Sequence, residues 1–178
     1  MRLFPLAVFA LLAATPAHAA LPVGAKAPDF TTLASQGGKE FNYSLADALK
    51  KGPVVLYFYP AAFTPGCTVE AHDFAAAVPK YKALGASVIG VSMDPIAKLD
   101  RFSVSECRSV FPVAADPDGA VTRAYDAKLP LVSHAARISY VIAPDGHIAL
   151  AYSAMSPDEH VSRTLAAVEA LKTQTAAP

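Results

Sequence analysis

Cys67 and Cys107 are the two cysteines of this sequence, and cysteine is its residue type best suited to covalent chemistry. Cys67 follows an apolar run, Val54 to Tyr59, and lies at the start of a stretch with helical spacing. A thiol there faces unpaired backbone N–H groups and the positive end of the helix dipole, so it should lose its proton more easily than a free cysteine. The sequence therefore predicts a nucleophilic Cys67 in a strand-to-helix loop, where α/β sheets build their sites. The alternative is an inert cysteine packed in the core.

The residues around Cys67 resemble the active-site motif of the peroxiredoxins. Pro60, Thr64 and Cys67 match the pattern P-x-x-x-[T/S]-x-x-C. The longer segment from Phe58 to Glu70 is similar to the Q-type branch, also called bacterioferritin comigratory proteins. The similarity covers nearly all of the chain after residue 20, and its further matching segments are Gly24–Phe30, Val88–Met93 and Phe111–Gly119.

The resemblance implies a thioredoxin-dependent peroxidase that reduces hydrogen peroxide and organic hydroperoxides. Cys67 would attack one peroxide oxygen and become a sulfenic acid. Thr64 would hydrogen-bond the thiolate or the peroxide, and Pro60 would limit access of water. Arg137 falls where the family carries its active-site arginine and would hold positive charge against both. Easier ionisation alone increases thiol reactivity only about threefold, because a weaker base is a weaker nucleophile. Most of the acceleration must therefore come from donors to the departing oxygen.

Cys107 lies 40 residues after Cys67, near the end of the next predicted helix. Many Q-type members carry a resolving cysteine five residues after the first, and here that position is His72. The resemblance implies that Cys107 is an alternative resolving cysteine, which forms an intramolecular disulfide with Cys67 after local unwinding. Two alternatives stay open: a permanent structural disulfide, or an inert buried thiol in an enzyme resolved by an external thiol.

Other polar residues are weaker candidates for function. Glu70, one turn into the helix, could orient Arg137 or complement the helix dipole. His72 lacks the paired ligands that zinc or copper needs, so we expect a surface histidine there, as at His134 and His147. The sequence predicts no cofactor and no metal ion.

Strands and helices alternate along the sequence in an order that would position these residues. Strands are predicted near 29–33, 54–59, 87–93, 111–115, 137–143 and 147–153, and helices over 45–50, 65–84, 95–107 and after 156. Hairpin turns are expected at 35–38 and 144–146, and another turn at 116–119. The pattern predicts an α/β domain of the thioredoxin-like fold, with a central mixed or parallel β-sheet flanked by helices.

Two of these helices carry specific signals. In the helix after Cys67, apolar residues recur at helical spacing and should face the core: Val69, Phe74, Val78 and Tyr81. In the last helix, Ser156 and Glu159 predict a capping box with Pro157 at the first helical position. Its apolar stripe is Val161, Leu165, Val168 and Leu171.

Residues 1–19 predict export. Arg2, the apolar run from Leu3 to Ala14 and the small-residue pattern ending at Ala19 are typical of a signal peptide. The apolar run is about half of the ~20 residues that a membrane-spanning helix needs. We therefore expect a secreted protein, periplasmic in location, whose single domain spans residues 20–178. The alternative is an uncleaved membrane anchor.

Size and charge restrict the possible partners. Removing residues 1–19 from 178 leaves 159, which is typical of one domain. Without Arg2 the chain carries 14 Lys and Arg against 15 Asp and Glu, with no basic run, so nucleic acid is excluded. The partners implied by the resemblance are a peroxide substrate and a thioredoxin-like or other dithiol reductant, with no membrane for the mature protein. The resemblance favours a monomer or a weak dimer.

Two other functions fit the sequence less well. A thioredoxin-like thiol-disulfide oxidoreductase would carry Cys-x-x-Cys, but Thr64 stands three residues before Cys67. A non-catalytic exported copper-binding protein would need two nearby cysteines and a partner histidine, which the single Cys67 does not supply.

Overall fold

Seven strands and five helices form residues 20–175, the part of the chain that the computed structural model describes, and they alternate except at two hairpins. The predicted signal peptide, residues 1–19, lies outside the described residues. The elements are β1 (Thr31–Gln36), β2 (Lys39–Ser44), α1 (Leu45–Leu49), β3 (Val54–Phe58), α2 (Pro65–Ala83), β4 (Ser87–Ser92), α3 (Ile96–Ser105), β5 (Val113–Ala115), α4 (Ala120–Ala124), β6 (Ile138–Ile142), β7 (Ile148–Ser153) and α5 (His160–Thr175). Within this range, no helix has the length and apolar character to cross a membrane.

The strands form one mixed sheet in the order β2-β1-β5-β4-β3-β6-β7. β3, β4 and β5 run parallel to one another, and the outer strands pair antiparallel. Every residue of β3 is buried, as expected for a central strand covered on both faces. The predicted mixed α/β architecture is confirmed, and α2, which follows the loop after β3, carries Cys67 near the C-terminal end of this central strand.

Side chains alternate across the sheet and so divide the core into two layers. Val55 and Tyr57 of β3 lie in the layer covered by α2, α3 and α5, which contains both cysteines. Leu56 and Phe58 lie in the opposite layer, under α1 and α4. The reactive side chains predicted from sequence therefore belong to one face of the sheet.

The predicted hairpin turns are confirmed. Gly37 and Gly38 join β1 to β2 with φ angles of 59° and 76°, a conformation that favours glycine in two-residue turns. β1 extends to Gln36, beyond its predicted end. The second hairpin joins β6 to β7 through residues 143–147.

A short helix, α4, is missing from the sequence predictions. It follows the predicted turn at 116–119, where the Gly119 N–H donates to the carbonyl oxygen of Asp116 at 2.9 Å. The buried Asp116 carboxylate accepts hydrogen bonds from the backbone N–H groups of Val121 at 3.1 Å and Thr122 at 2.7 Å. The cap thus comes from the first residue of the turn, four residues before the helix begins at Ala120, and not from the residue next to the helix start.

Two details of the predicted helices are wrong. Val69 is 47% exposed, because it lies about 200° around the helix from Cys67, whereas Phe74 lies on the cysteine's side and is fully buried. The capping box is absent, since α5 begins at His160. Ser156 instead donates to Asp158, and the Glu159 side chain accepts from Arg163; these partners draw both predicted capping side chains away from the backbone.

Candidate active site

The strand-to-helix loop places Cys67 as the third residue of α2. Pro65 begins the helix, which suits a residue with no N–H to leave unpaired. Thr64 precedes it with extended backbone, and its hydroxyl donates to the Ala61 carbonyl at 2.9 Å rather than to Cys67. The hydroxyl oxygen of Thr64 keeps lone pairs that can accept a further hydrogen bond.

The start of the loop is held by a side chain that the sequence analysis missed. The Asp94 carboxylate accepts a hydrogen bond from the Ala62 N–H at 2.7 Å, and Lys98 contacts its other oxygen at 2.7 Å. Pro60 is half-buried between β3 and this anchored turn. Asp94 follows β4, whose end lies beside that of β3, so only the parallel pairing of the strands brings it to the loop.

Arg137 and Cys67 meet in the interior although they lie 70 residues apart. The guanidinium Nη2 donates to Cys67 Sγ at 3.4 Å, and the two residues are 4% and 1% exposed. Gly66 makes this approach possible, because a Cβ added there would lie 3.1 Å from Arg137 Nη2. The structure therefore places the Arg137 guanidinium beside Cys67 in the interior.

Two further contacts fix the direction of the Arg137 side chain. Nε donates to the Met155 carbonyl at 3.0 Å, and Nη1 is hydrogen-bonded to Oε2 of the fully buried Glu70. Burial opposes the charge of Arg137, but Glu70 and Cys67 outweigh it, and the pKa of Arg137 is raised. The site therefore contains a permanent cation whose Nε, Nη1 and Nη2 groups all donate hydrogen bonds.

Glu70 belongs to a cluster of buried polar side chains that lies behind Arg137. Burial raises the pKa of Glu70 to about 8, against the lowering effect of Arg137. Its Oε1 lies 3.7 Å from Nδ1 of His160, a fully buried residue, and that ring nitrogen is 2.7 Å from Ser139 Oγ. Sequence reasoning treated Glu70 as a weak candidate and missed His160, because its neighbours looked like an ordinary helix start.

Cys107 lies in the same apolar cluster as Cys67, two residues beyond the end of α3. Both cysteines are free thiols. Burial and then the charge of Glu106 raise the pKa of Cys107. Burial also raises the pKa of Tyr57, and both cysteines raise it further, so the phenol is near each of them. The structure thus brings Cys107 to the same layer as Cys67, without a bond between them.

The turn after Cys107 has an unusual backbone. Arg108 and Ser109 both adopt left-handed conformations, with φ of 51° and 59°, which side chains other than glycine disfavour. His72 Nε2 contacts Glu106 Oε2 at 2.8 Å and so links α2 to this turn. His72 is partly exposed at 39%, whereas His134 and His147 are exposed as expected, with His147 Nδ1 3.3 Å from Asp145 Oδ2. Among residues 20–175, no three His, Cys, Asp or Glu side chains are grouped to hold a metal ion.

Comparisons with known proteins agree with this arrangement. A model of the AhpC/TSA family matches residues 23–151. A putative peroxiredoxin of Mycobacterium tuberculosis is 36% identical over 149 residues, covering 80% of this chain and 92% of the relative. Peroxiredoxin Q from the chloroplast of Oryza sativa subsp. japonica is 33% identical over 173 residues, covering 88% and 77%.

A solved structure shows the same fold. The crystal structure of peroxidoxin BcpB from Mycobacterium tuberculosis superposes with a TM-score of 0.76 at 32% identity, covering 83% of this chain and 96% of that one. The thioredoxin-like fold predicted from the order of elements is thereby confirmed. Family match, relatives and fold agree that the chain belongs to the AhpC/TSA family of peroxiredoxins, which are thiol-dependent peroxidases.

Proposed function

We propose that Cys67 is the cysteine that attacks the peroxide, with hydrogen peroxide and organic hydroperoxides as substrates. The observation that carries this proposal is the hydrogen bond from Arg137 Nη2 to Cys67 Sγ at 3.4 Å. A buried cation beside a thiol at a helix N-terminus stabilises the thiolate, which is the nucleophilic form. Cys107 has the opposite surroundings, since burial and Glu106 raise its pKa.

The first step transfers one oxygen atom to Cys67. The thiolate sulfur attacks the terminal peroxide oxygen, the O–O bond breaks, and Cys67 is oxidised to a sulfenic acid. The departing oxygen takes the electron pair of that bond and the proton that the Cys67 thiol released on ionisation, and leaves as water or an alcohol. Arg137 stabilises the negative charge on both sulfur and departing oxygen. Thr64, whose proton is directed to Ala61, accepts a hydrogen bond from the peroxide O–H and so orients it.

The second step uses Cys107 as the resolving cysteine. Its sulfur attacks the sulfur of the Cys67 sulfenic acid, an S–S bond forms, and water leaves. Cys107 is the other cysteine of the chain and shares the apolar cluster with Cys67. Because Cys107 is buried with a raised pKa, it must leave its position before it can react. The left-handed residues Arg108 and Ser109 favour this movement, since unwinding releases their strain.

The cycle closes when a reductant reduces the disulfide. Peroxiredoxins act on peroxides and are reduced by thioredoxin-like dithiols, and we propose such a reductant for this chain. Residues 1–19 support export to the periplasm with a mature chain that begins at Ala20. We propose a monomer or weak dimer as the working form.

The experiment that tests this function measures peroxide consumption by residues 20–178 with a dithiol reductant. Wild type, Cys67→Ser and Cys107→Ser are compared, and each is analysed by mass spectrometry after one equivalent of peroxide. We expect Cys67→Ser to be inactive, Cys107→Ser to gain one oxygen atom, and wild type to lose two hydrogen atoms. Val69→Ala, an exposed change on the same helix, serves as the matched control.

Three results would contradict parts of the proposal. Full activity of Cys67→Ser would exclude it as the attacking thiol. A disulfide that is present before peroxide and resists reduction would make Cys107 structural. If Cys107→Ser keeps the wild-type turnover and the wild type forms no peroxide-dependent disulfide, Cys107 is an inert thiol in an enzyme resolved by an external thiol.

A further inference from the structure

We propose that His160 is a positioning residue of this peroxidase, which shares a proton with Glu70 and thereby leaves the charge of Arg137 to Cys67. This inference rests on the proposed role of Cys67. It concerns a histidine at the start of α5 that contacts neither the thiol nor the expected position of the peroxide.

A continuous chain of buried polar contacts links His160 to the thiol. Arg137 donates through Nη2 to Cys67 and through Nη1 to Glu70 Oε2. The other carboxylate oxygen, Oε1, has no hydrogen-bond partner among the described residues and lies 3.7 Å from His160 Nδ1. Ser139 Oγ lies 2.7 Å from the same nitrogen. The chain thus crosses from α2 through the residue before β6 to α5.

The hydrogen bonds of His160 define which ring nitrogen carries the proton. Nε2 lies 3.0 Å from the carbonyl oxygen of Ala154, and a carbonyl can only accept, so Nε2 carries a hydrogen. Burial lowers the pKa of His160, and the charge of Arg137 lowers it too, which favours the neutral ring. Nδ1 of the neutral ring therefore presents one lone pair towards Ser139 and Glu70.

One lone pair thus faces two possible donors, the Ser139 hydroxyl and a proton on Glu70 Oε1. Burial raises the pKa of Glu70 to about 8, so a proton on its carboxyl group is accessible near neutral pH. Because Oε2 accepts from Arg137, that proton belongs on Oε1, the oxygen facing His160. A movement of less than 1 Å would bring Oε1 and Nδ1 within hydrogen-bond distance.

The position of this proton decides how the charge of Arg137 is divided. When Glu70 is ionised, the positive charge of Arg137 is shared between two anions, Glu70 and the Cys67 thiolate. When the proton lies between Glu70 and His160, the charge of Arg137 acts on Cys67 and on the departing oxygen. His160 therefore tunes the reactivity of Cys67 through Glu70 and Arg137.

Other titratable groups surround this network and belong in any analysis of its pH dependence. On α2, Asp73 raises the pKa of Glu70, and on β3 the buried Tyr57 feels the charges of Glu70 and both cysteines. On β7, the Tyr152 ring packs edge-on against His160 with centroids 4.8 Å apart. The hydroxyl of Tyr152 is directed to Glu159 at the helix start.

The test compares two substitutions that keep different halves of the imidazole. His160→Gln can retain the donor to Ala154 but loses the nitrogen facing Ser139 and Glu70. His160→Asn retains a polar atom at the Nδ1 position and loses the contact with Ala154. Two quantities are measured: the pH midpoint for alkylation of Cys67, read on its peptide by mass spectrometry, and the rate of sulfenic acid formation.

We expect His160→Gln to move the alkylation midpoint to higher pH by about one unit and to slow sulfenic acid formation about tenfold. His160→Asn should restore most of both values. Val168→Ala is the matched control, because it alters a fully buried side chain of the same helix that carries no polar group and lies eight residues beyond His160. This control should leave the pH midpoint unchanged.

Ser139→Ala supplies a smaller second test that does not depend on replacing the buried histidine. Removing this hydroxyl frees the lone pair for Glu70, so the alkylation midpoint should move to lower pH. An impaired Asn variant with a normal Gln variant would overturn the proposal, because a purely structural bond to Ala154 would then explain the role of His160. Unchanged pH midpoints in both His160→Gln and Ser139→Ala would also overturn it. Full peroxidase activity of Cys67→Ser would instead refute the proposed function, and the alkylation profile distinguishes these failures.

Discussion

The two cysteines share one apolar cluster but have opposite electrostatic surroundings. Cys67 lies in the first turn of the 19-residue helix α2, beside the cation Arg137. Cys107 lies just beyond the C-terminal end of α3, where carbonyl groups form the negative end of the helix dipole, and next to Glu106. The surroundings of Cys67 stabilise a thiolate, whereas the surroundings of Cys107 oppose one.

The backbone around the two thiols differs in the same sense. Before Cys67, Asp94 anchors the loop at Ala62. After Cys107, two successive residues adopt left-handed conformations that cost about 1–2 kcal/mol each. The loop before Cys67 has one left-handed residue other than glycine, Phe63 with φ of 67°, so the segment after the second thiol stores more backbone strain than the anchored loop before the first.

The largest expected effect comes from removing the cation. Arg137→Gln should slow sulfenic acid formation by about 10²–10³-fold, because the thiolate and the departing oxygen lose their shared donor. Since the chain has no tryptophan, the rate is best followed by rapid quenching and mass spectrometry. Arg163→Gln, an exposed cation on α5, is the control. Circular dichroism checks the fold. If Arg137→Gln folds and keeps the wild-type rate, Arg137 is not what makes Cys67 differ from Cys107.

Gly66→Ala perturbs the same contact without removing a charge. The added methyl would lie 3.1 Å from Arg137 Nη2, so the guanidinium must shift away from Cys67. We expect the rate of sulfenic acid formation to fall about tenfold, with the helix no less stable, since alanine is the better helix former. Thermal unfolding and the quenched rate measure the two effects. An unchanged rate would show that the close approach at Gly66 is unnecessary.

Glu106→Gln acts on the surroundings of Cys107. It removes the charge beside this thiol and weakens the contact with His72. Disulfide formation should become about two- to fivefold faster, the range expected for a partly exposed ion pair. Sulfenic acid formation should be unchanged, which separates this effect from a change at Cys67. Slower disulfide formation would indicate that Glu106 assists the second step instead.

The smallest effect concerns the strain after Cys107. Arg108→Gly should raise the free energy of unfolding by up to about 1 kcal/mol, because glycine adopts φ of 51° without strain but loses more entropy on folding. Urea unfolding of the reduced protein measures this change. Arg101→Gly, inside α3, is the matched control and should lower stability by about 1 kcal/mol. Equal losses in both variants would show that the turn stores no strain.

The elements that sequence predicted well are those with strong local signals. The apolar run of β3, the glycines of the first hairpin and the small turn before β7 each favour one local conformation. The predicted start of α5 failed because Ser156 and Glu159 bind other side chains. α4 was not predicted because its cap, Asp116, lies four residues before the helix begins, at the first position of the intervening turn. In both cases a side chain two to six residues away, rather than an adjacent one, determined the local result.

The residues of the candidate site also fall into two sets, those that a local pattern identified and those that it did not. Cys67, Thr64 and Pro60 lie within eight residues, so a linear motif can identify them. Arg137 is 70 residues away, and its pattern alone is that of a surface arginine on a strand; family resemblance indicated its role. His160 carried no sequence signal, because its function depends on Glu70 and Ser139, which reach it from two other elements.

Local patterns were thus sufficient to predict the fold class and the reactive cysteine, because strand burial, turn geometry and helix starts depend on neighbouring residues. The pairing of Arg137 with Cys67 and Glu70, and the different surroundings of the two thiols, required the folded chain. The physical reason is that charge stabilisation and burial depend on distances of a few ångströms between groups far apart in sequence. Such distances are set by the packing of α2, α3 and α5 on the sheet.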